Sequence, residues 1–310
     1  METLTHIYIA SLGHSGSTIL GIALGAVPGG VSIGELDATV RRIESPQHRC
    51  TCGAEATECA VWGRVFRRNR EIAAAPGRPE RYAEGYRALY RALREQPSAV
   101  SGNSADDVPR GTTGRQLFLV DTSKDPDALK AIPSEPGVTL KVVFLVKDPR
   151  SYFVSHYRKW LSSRDTNRRR RDAGRDKKRR APFLLLELIV AIVNWWWGNR
   201  RLLRLLRQGG YEYLPVNYEE MVLDSKAVEH RLSEFLEADV RLRDIPNRPE
   251  QRHILRGNAL RHNPSLSSSL RYDFRWFYDP WVRRLAFAFA PLLRWGVRNG
   301  LLPASVERRR

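Results

Sequence analysis

Two short stretches of the 310-residue chain carry residue types that can hold an anion. The first, SLGHSGSTIL (residues 11–20), follows the apolar run IYIA, and this pattern predicts a strand, a loop of small residues and a helix. Glycines let the backbone turn tightly. The amide groups at the helix N-terminus and the hydroxyl groups of Ser15, Ser17 and Thr18 can then donate hydrogen bonds to a phosphate. A tight turn with Ser17 or Thr18 as a simple helix cap is the alternative interpretation.

This loop lacks the ending of an ATP-binding loop. Such loops read Gly-x-x-x-x-Gly-Lys-Ser/Thr, whereas Gly16 is followed here by Ser-Thr, so the lysine that reaches the terminal phosphates is absent. Asp121, at the end of another predicted strand, could be structural rather than a magnesium ligand. A nucleotide-dependent kinase therefore stays only as an alternative function.

The second stretch is KDPRSYFVS (residues 147–155), which follows the apolar run TLKVVFLV. Lys147 stands at the end of a predicted strand, Asp148 and Pro149 turn the chain, and Ser155 falls on the next predicted helix. Lys147 and Ser155 could therefore converge on one phosphate. A surface turn with unrelated charges is the alternative.

The elements that must position these turns follow from the apolar periodicity. We predict strands at 5–12, 116–121 and 139–146, with a fourth strand and its exit at 212–221, and we predict a mixed helical stretch at 31–45. Helices are predicted at 17–26, 80–95, 151–162, 183–207, 228–236 and 280–299. Because polar turns follow the strands, we expect an α/β fold, a three-layer sandwich around a central, mostly parallel sheet that binds ligands at the carboxyl ends of its strands. We expect one domain, 1–310, with a basic insertion at about 164–181.

The charge balance indicates an anionic partner. The chain has 52 Lys and Arg against 34 Asp and Glu, a net charge of +18, and residues 164–180 alone hold ten Lys or Arg and three Asp. This tract is either a solvated insertion or, beside the apolar residues 183–197, a contact for an anionic membrane surface. A non-catalytic polyanion-binding protein is thus a further alternative.

The apolar residues 182–197 include Glu187 and fall short of the about 20 residues that span a membrane. No secretory signal is recognisable at the start of the chain. We expect a cytoplasmic protein that could also contact a membrane surface.

The three cysteines, Cys50, Cys52 and Cys59, lie within ten residues of one another. An odd, clustered set is not a secreted disulfide framework. Together with His48 they could bind zinc, but the Cys-x-Cys spacing is tighter than usual and no second pair is present. We therefore expect packing or a local redox pair, and no metal site.

Taken together, GHSGSTIL followed by FLVKDPRSYFVS resembles the pair of signatures shared by sulfotransferases that use 3′-phosphoadenosine 5′-phosphosulfate (PAPS). Further segments resemble bacterial members in the same order along the chain: VDTSKDP (120–126), VNYEEMVLD (216–224), HILRGNALRHN (253–263) with Asp273 and Trp276, and the cysteine element CTCGAEATECAVW.

The resemblance implies a P-loop-like turn that grips the 5′-phosphosulfate and a lysine-led turn that grips the 3′-phosphate. The implied donor-binding residues are Gly13, His14, Ser15, Gly16, Ser17, Thr18, Lys147, Ser155, Gly257, Asn258 and Arg261. It also implies PAPS as co-substrate, 3′-phosphoadenosine 5′-phosphate (PAP) as product and no metal requirement. His14 stands where the family usually carries Lys or Arg, and Lys147 stands where the family usually carries Arg. Donor binding could therefore be weaker or pH-dependent.

Sulfuryl transfer is an in-line displacement that requires a general base and neutralisation of charge on the leaving phosphate. Glu35, in the SIGEL segment, is our candidate base because some family members place a catalytic glutamate at a similar offset; His14 is the second candidate. Lys124 could stabilise the transferring group. A structural cap or pair for Glu35 and a surface ion pair for Lys124 are the alternatives. The acceptor is a hydroxyl or amine of a small molecule, carbohydrate or glycolipid, and we expect no specific nucleic-acid partner.

Overall fold

The structure is a computed structural model of the chain. It describes residues 3–44, 49–95, 116–156, 180–243, 245, 251–257, 259–262, 271–272, 275–278 and 280–306. The predicted loop at 98–115 and residues 164–179 of the basic tract lie outside the described residues.

The described residues form a five-stranded parallel sheet. Its strands are β1 (Thr3–Ser11), β2 (Gly30–Gly34), β3 (Gln116–Asp121), β4 (Val138–Val146) and β5 (Tyr213–Asn217). The order across the sheet is β2-β3-β1-β4-β5, with β1 at the centre between β3 and β4. The predicted α/β fold with a parallel sheet is therefore confirmed.

The helices follow the strands along the chain. They are α1 (Ser17–Gly25), α2 (Leu36–Val40), α3 (Trp62–Arg67), α4 (Asn69–Ala74), α5 (Arg78–Glu95), α6 (Pro126–Lys130), α7 (residues 149–156), α8 (Arg180–Gln208), α9 (Tyr218–Leu223), α10 (Ser225–Leu236), α11 (Arg275–Tyr278), α12 (Pro280–Arg284) and α13 (Ala290–Arg298). The 3₁₀ turns are Ala259–His262, Ala286–Phe289 and Ala304–Val306.

The core is divided between the two faces of the sheet. In β1, Leu4, Tyr8 and Ala10 pack on one face together with side chains of α5 and α8, while Ile7 and Ile9 pack on the other face with α1 and α10. This alternation is what a strand covered by helices on both sides requires, because successive side chains point to opposite faces.

Two expectations about secondary structure were wrong. Residues 30–34 form β2 at the edge of the sheet, not part of a mixed helical stretch; this GVSIG strand is short and has a glycine at each end, so its apolar signal is weak. The helix expected at 280–299 is divided into α12, a 3₁₀ turn and α13. Pro291, in the first turn of α13, cannot donate the amide hydrogen bond that would continue the preceding helix.

Candidate functional site

The chain segments that follow β1 and β4 diverge at the side of the sheet that we call the carboxyl edge. The helix after β1 packs on one face of the sheet, while α7, which follows β4, packs its Tyr152 and Phe153 on the other face. Neighbouring parallel strands whose following chains leave to opposite faces create the crevice in which α/β proteins bind ligands. Both turns singled out in the sequence lie at this point.

The first turn, residues 12–16, has the backbone that its sequence suggests. His14 and Gly16 adopt left-handed backbone angles, with φ of 67° and 94°. Gly16 is the N-cap of α1 and no side chain caps this helix end, so the alternative of a Ser17 or Thr18 cap is wrong. Ser15 and Ser17 are buried. The uncapped amide groups of the first helical turn form the kind of site that binds anions.

Gly16 is required by a close contact as well as by its backbone angle. A Cβ atom at this position would lie 2.5 Å from two ring carbons of Tyr218, the first residue of α9. At Gly13, in contrast, a Cβ atom would meet nothing within 4 Å. The loop is thus seated on the Tyr218 ring.

The second turn places a buried ammonium at the end of β4. Lys147 donates a hydrogen bond from Nζ to Oγ of Ser155 over 2.9 Å, which confirms that these two side chains converge. Lys147 is 6% exposed, and Nε1 of Trp195 in α8 donates to its carbonyl oxygen over 2.7 Å. Both the backbone and the side chain of Lys147 are therefore fixed.

The two turns meet through a shared aromatic side chain. Nζ of Lys147 lies 4.9 Å from the centre of the same Tyr218 ring against which Gly16 packs. The ring of His14 also stands edge-on to His156, next to Ser155, with 5.4 Å between ring centres. The structure thus brings His14 and Gly16 together with Lys147 and Ser155.

Tyr218 and His156 are two site residues that the sequence did not predict. Tyr218 lies in the VNYEEMVLD segment that carried part of the resemblance, so its position gave a signal although its contact with Gly16 did not follow from it. His156 follows directly after Ser155 and had no signal of its own.

The other charges of the lysine-led turn are engaged internally. Asp148 and Arg150 form a buried bidentate ion pair with N–O distances of 2.6 and 3.0 Å, and the Arg150 guanidinium lies 4.2 Å from the Trp276 ring centre. Oε2 of Glu219 accepts a hydrogen bond from the Asp148 amide, and burial together with the nearby Asp148 raises the pKa of Glu219 to about 7. Since Asp148 and Arg150 neutralise each other, Lys147 supplies the net positive charge of this turn.

Glu35 and Lys124 form an ion pair at the same carboxyl edge, on the side of β1 opposite to β4. Glu35 follows β2 and is the N-cap residue of α2, while Lys124 follows β3; Nζ of Lys124 contacts Oε1 of Glu35. Both side chains are about a quarter exposed, so solvent and ligands can reach them. The structure therefore brings the candidate base and the candidate electrophilic residue into direct contact.

A buried network holds the turn that carries Lys124. Asp121 accepts hydrogen bonds from the Tyr86 hydroxyl and from the amide and hydroxyl of Ser123, each over 2.7 Å. Oγ of Ser123 in turn accepts from the amide of Asp37 in α2. Burial raises the pKa of Asp121 to about 6. One carboxylate oxygen of Asp121 thus joins β3 to α5 through Tyr86, and the other joins it to α2 through Ser123, as the structural interpretation of this residue expected.

The late segment lies in an arginine-lined cleft beside α2. Gly257 and Arg261 line a cavity of about 330 Å³ together with Arg41, Arg42 and Arg256. Nη1 of Arg261 donates to the Gly257 carbonyl over 2.6 Å, and the 3₁₀ turn of Arg261 contacts α1. Asn258, the remaining candidate in this segment, lies outside the described residues, as does Asp273. The cleft offers positive charge close to both α1 and Glu35.

The three cysteines are brought together with His253, a residue distant in sequence. No disulfide joins them, and Sγ of Cys59 lies 3.6 Å from Sγ of Cys50 and 3.8 Å from Sγ of Cys52. His48, the histidine that sequence analysis considered, lies outside the described residues.

Comparison with known proteins adds little beyond this geometry. No family model and no curated protein matches the chain. Among solved structures, the chain is similar to the sulfotransferase domain from the Synechococcus PCC 7002 olefin synthase, at 18% sequence identity and a TM-score of 0.46, over 87% of this chain and 88% of that domain. A similarity of this degree carries no argument about activity, so the functional argument rests on the site.

Proposed function

We propose that the protein transfers a sulfuryl group from PAPS to a hydroxyl or amine of an acceptor. The observation that supports this proposal is the convergence of the two turns where β1 and β4 end: Gly16 packs against the Tyr218 ring, and Nζ of Lys147 lies 4.9 Å from the centre of the same ring. A ligand held by both turns needs two anionic groups separated by a linking body. A nucleoside with phosphates on its 5′ and 3′ positions has this form.

In this proposal the first turn binds the 5′-phosphosulfate. The amide groups at the start of α1 and the hydroxyl groups of Ser15, Ser17 and Thr18 donate to it, and Gly13 and Gly16 let the backbone approach closely. His14 donates from its ring to the phosphate that leaves. Lys147 and Ser155, already hydrogen-bonded to each other, bind the 3′-phosphate. Gly257, Asn258 and Arg261 complete the nucleotide site from the late segment.

The chemical step requires removal of a proton from the acceptor. Glu35 is the proposed general base, since a carboxylate at the carboxyl edge that is partly exposed can reach an acceptor hydroxyl. Lys124, in contact with Glu35, neutralises negative charge on the transferring group. Preorganised charges of this kind stabilise a transition state without rearrangement during the reaction.

The test is transfer of radiolabelled sulfate from PAPS across a panel of carbohydrate, glycolipid, phenol and tyrosine-peptide acceptors. We expect labelled product from the parent chain and loss of turnover with unchanged PAP affinity for Glu35→Gln. The matched control is Glu234→Gln, because Glu234 is exposed on α10 and belongs to neither of the two turns. Full turnover by Glu35→Gln would refute its role as base.

Two further measurements separate the alternatives. Phosphate transfer from labelled ATP that depends on Mg²⁺ would favour a kinase. A polyanion-binding protein would keep its affinity for heparin after Ser15→Ala and lose it when residues 164–179 are deleted. Absence of both sulfuryl transfer and PAP binding in the parent chain would refute the proposed function.

We further propose peripheral contact with anionic membranes through α8. Helical spacing places Leu186, Ile189, Val193 and Trp197 on one face of α8, where each is at least 50% exposed, and the basic tract directly precedes this helix. Trp195, in contrast, is buried in the core. Within the described part of the chain, every helix is too short or too polar to cross a membrane.

Vesicle sedimentation tests this contact. The parent chain should bind vesicles of phosphatidylglycerol and phosphatidylcholine in low salt but not vesicles of phosphatidylcholine alone. Val193→Asp should weaken binding, whereas Leu223→Asp, at an equally exposed apolar residue of α9, should not. Equal binding by both variants would contradict a contact through α8.

A further inference from the structure

Four potential metal ligands from two distant parts of the chain meet beside the edge strand β2. They form what we call the cysteine–histidine cluster: Cys50, Cys52, Cys59 and His253. Their ligand atoms all lie within 4.8 Å of one another. Cys50, Cys59 and His253 are buried and Cys52 is partly buried, so the cluster is largely shielded from solvent.

The spacing within the cluster fits a tetrahedral zinc ion. With Zn–S bonds of about 2.3 Å and Zn–N bonds of about 2.0–2.1 Å, tetrahedral geometry separates two sulfurs by about 3.8 Å and sulfur from nitrogen by about 3.6 Å. Here Sγ of Cys59 lies 3.6 Å from Cys50 and 3.8 Å from Cys52. Nδ1 of His253 lies 3.2 Å from Sγ of Cys59 and 4.0 Å from Sγ of Cys50. A disulfide needs sulfurs about 2.05 Å apart, and all three thiols are free.

The backbone around the cysteines forms a tight turn. Gly53 has a φ of 94°, which lets the chain reverse directly after Cys52. The Gly53 amide donates to the Cys50 carbonyl over 2.9 Å, and the Cys50 amide donates to the Ala54 carbonyl over 2.8 Å. Cys59 is held separately, by donation from its amide to the Glu55 carbonyl. The turn therefore presents Cys50 and Cys52 towards one point despite their short spacing.

The histidine is fixed from both sides. Oγ1 of Thr51 donates to the Arg252 carbonyl over 2.6 Å and accepts from the Ile254 amide over 2.8 Å. The indole of Trp62 donates to the His253 carbonyl. These bonds join the residue before and the residue after His253 to the cysteine turn, as expected for a ligand whose position is set by its surroundings.

We propose that the cysteine–histidine cluster is a structural Zn²⁺ site. Three thiolates and one imidazole are a ligand set typical of structural zinc. Four protein ligands complete the tetrahedral coordination of the ion and leave no coordination position for a substrate. This proposal is independent of the sulfotransferase function.

The position of the cluster indicates what the metal would stabilise. The amide of His253 donates to the Ser32 carbonyl in β2 over 2.8 Å, so the segment 251–257 runs along this edge strand. A Cβ atom on Gly34, the residue before Glu35, would lie 2.6 Å from the Ile254 side chain and 2.9 Å from the Arg256 carbonyl. Zinc would thus hold the arginine-bearing segment against the strand that positions Glu35.

The test is the metal content of the full chain, purified in buffers without chelators and analysed by native mass spectrometry and elemental analysis. We expect one zinc per chain, released when a mercurial reagent modifies the thiols. Chelation after this release should lower the melting temperature. Zinc-free chain titrated with Co²⁺ should develop the intense visible bands of tetrahedral cobalt and a thiolate-to-cobalt band in the near ultraviolet.

The variants Cys52→Ser and His253→Asn should lose the zinc, and the control His230→Asn should retain it, since His230 is exposed on α10. If either cluster variant fails to fold, the cobalt spectrum of the parent chain gives the answer without it. Parent chain that contains no zinc, gives no tetrahedral cobalt spectrum, or carries a disulfide between two of the cysteines would overturn the proposal.

Discussion

Replacement of Gly16 by alanine tests the geometry of the first turn directly. Gly16 has a φ of 94°, and a non-glycine residue in the left-handed region costs about 1–2 kcal/mol. The added Cβ would also lie 2.5 Å from two carbons of the Tyr218 ring, and overpacking of this kind typically costs about 1–3 kcal/mol. We therefore expect Gly16→Ala to lower the free energy of unfolding by about 2–5 kcal/mol and to abolish PAP binding.

Gly13→Ala is the matched control in the same loop. Gly13 does not have a positive φ, and its added Cβ would meet nothing within 4 Å. This variant should be as stable as the parent or gain up to about 1 kcal/mol through the lower entropy of its unfolded chain. Urea unfolding of both variants measures the difference.

The double variant Gly16→Ala, Tyr218→Leu separates the two costs of the Gly16 substitution. Loss of the tyrosine ring should remove the free-energy cost of the steric clash and leave the cost of the left-handed backbone angle. Equal unfolding midpoints for Gly16→Ala and Gly13→Ala would refute the reasoning.

Three further predictions concern the supports of the site. Asp148→Ala leaves the Arg150 guanidinium buried without its partner and should cost about 3–5 kcal/mol in urea unfolding, part of which Asp148→Ala, Arg150→Met should restore; an additive double variant would contradict this pairing. Trp195→Phe removes the donor to the Lys147 carbonyl and should cost about 1–3 kcal/mol by the same measurement, so a variant with parental stability would show that this bond contributes nothing. The folded-state pKa of Asp121 is about 6, above its ordinary 3.8, so its stabilising contribution is complete below about pH 3.8 and is lost as the pH rises through about 6. Between about pH 4 and about pH 7, the free energy of unfolding should therefore fall by up to about 3 kcal/mol more in the parent than in Asp121→Asn. Identical pH profiles of the two proteins would contradict the raised pKa.

Much of the fold could be predicted from the sequence because its central strands are covered on both faces. The strands β1, β3 and β4 contain the continuous apolar runs IYIA, LFLV and VVFLV, and such runs are typical of parallel strands. The edge strand β2 has no such run, and its pairing with β3 depends on contacts between residues far apart in the chain. Local patterns contain no information about such pairing, so β2 was missed.

In the candidate site, too, local contacts could be predicted from the sequence and contacts between distant residues could not. Lys147 and Ser155 lie eight residues apart on a strand end and the following helix, so local geometry predicts that they converge, and they are hydrogen-bonded. The contact of Gly16 with Tyr218 and that of Cys59 with His253 join residues about two hundred positions apart. Only the order of strands in the sheet brings such residues together. For this reason the sequence suggested His48, a local neighbour, as the partner of the cysteines.

Calorimetric titration with PAP tests whether both turns bind one nucleotide. If they do, one PAP binds per parent chain, and Lys147→Ala lowers the affinity at least about tenfold, which corresponds to about 1.4 kcal/mol. Lys147→Arg should keep most of the affinity because it keeps the charge. Lys130→Ala, which removes an exposed lysine of α6, should bind as the parent does. A parent chain that does not bind PAP at millimolar concentration, or a Lys147→Ala variant with unchanged affinity, would contradict a nucleotide site shared by the two turns.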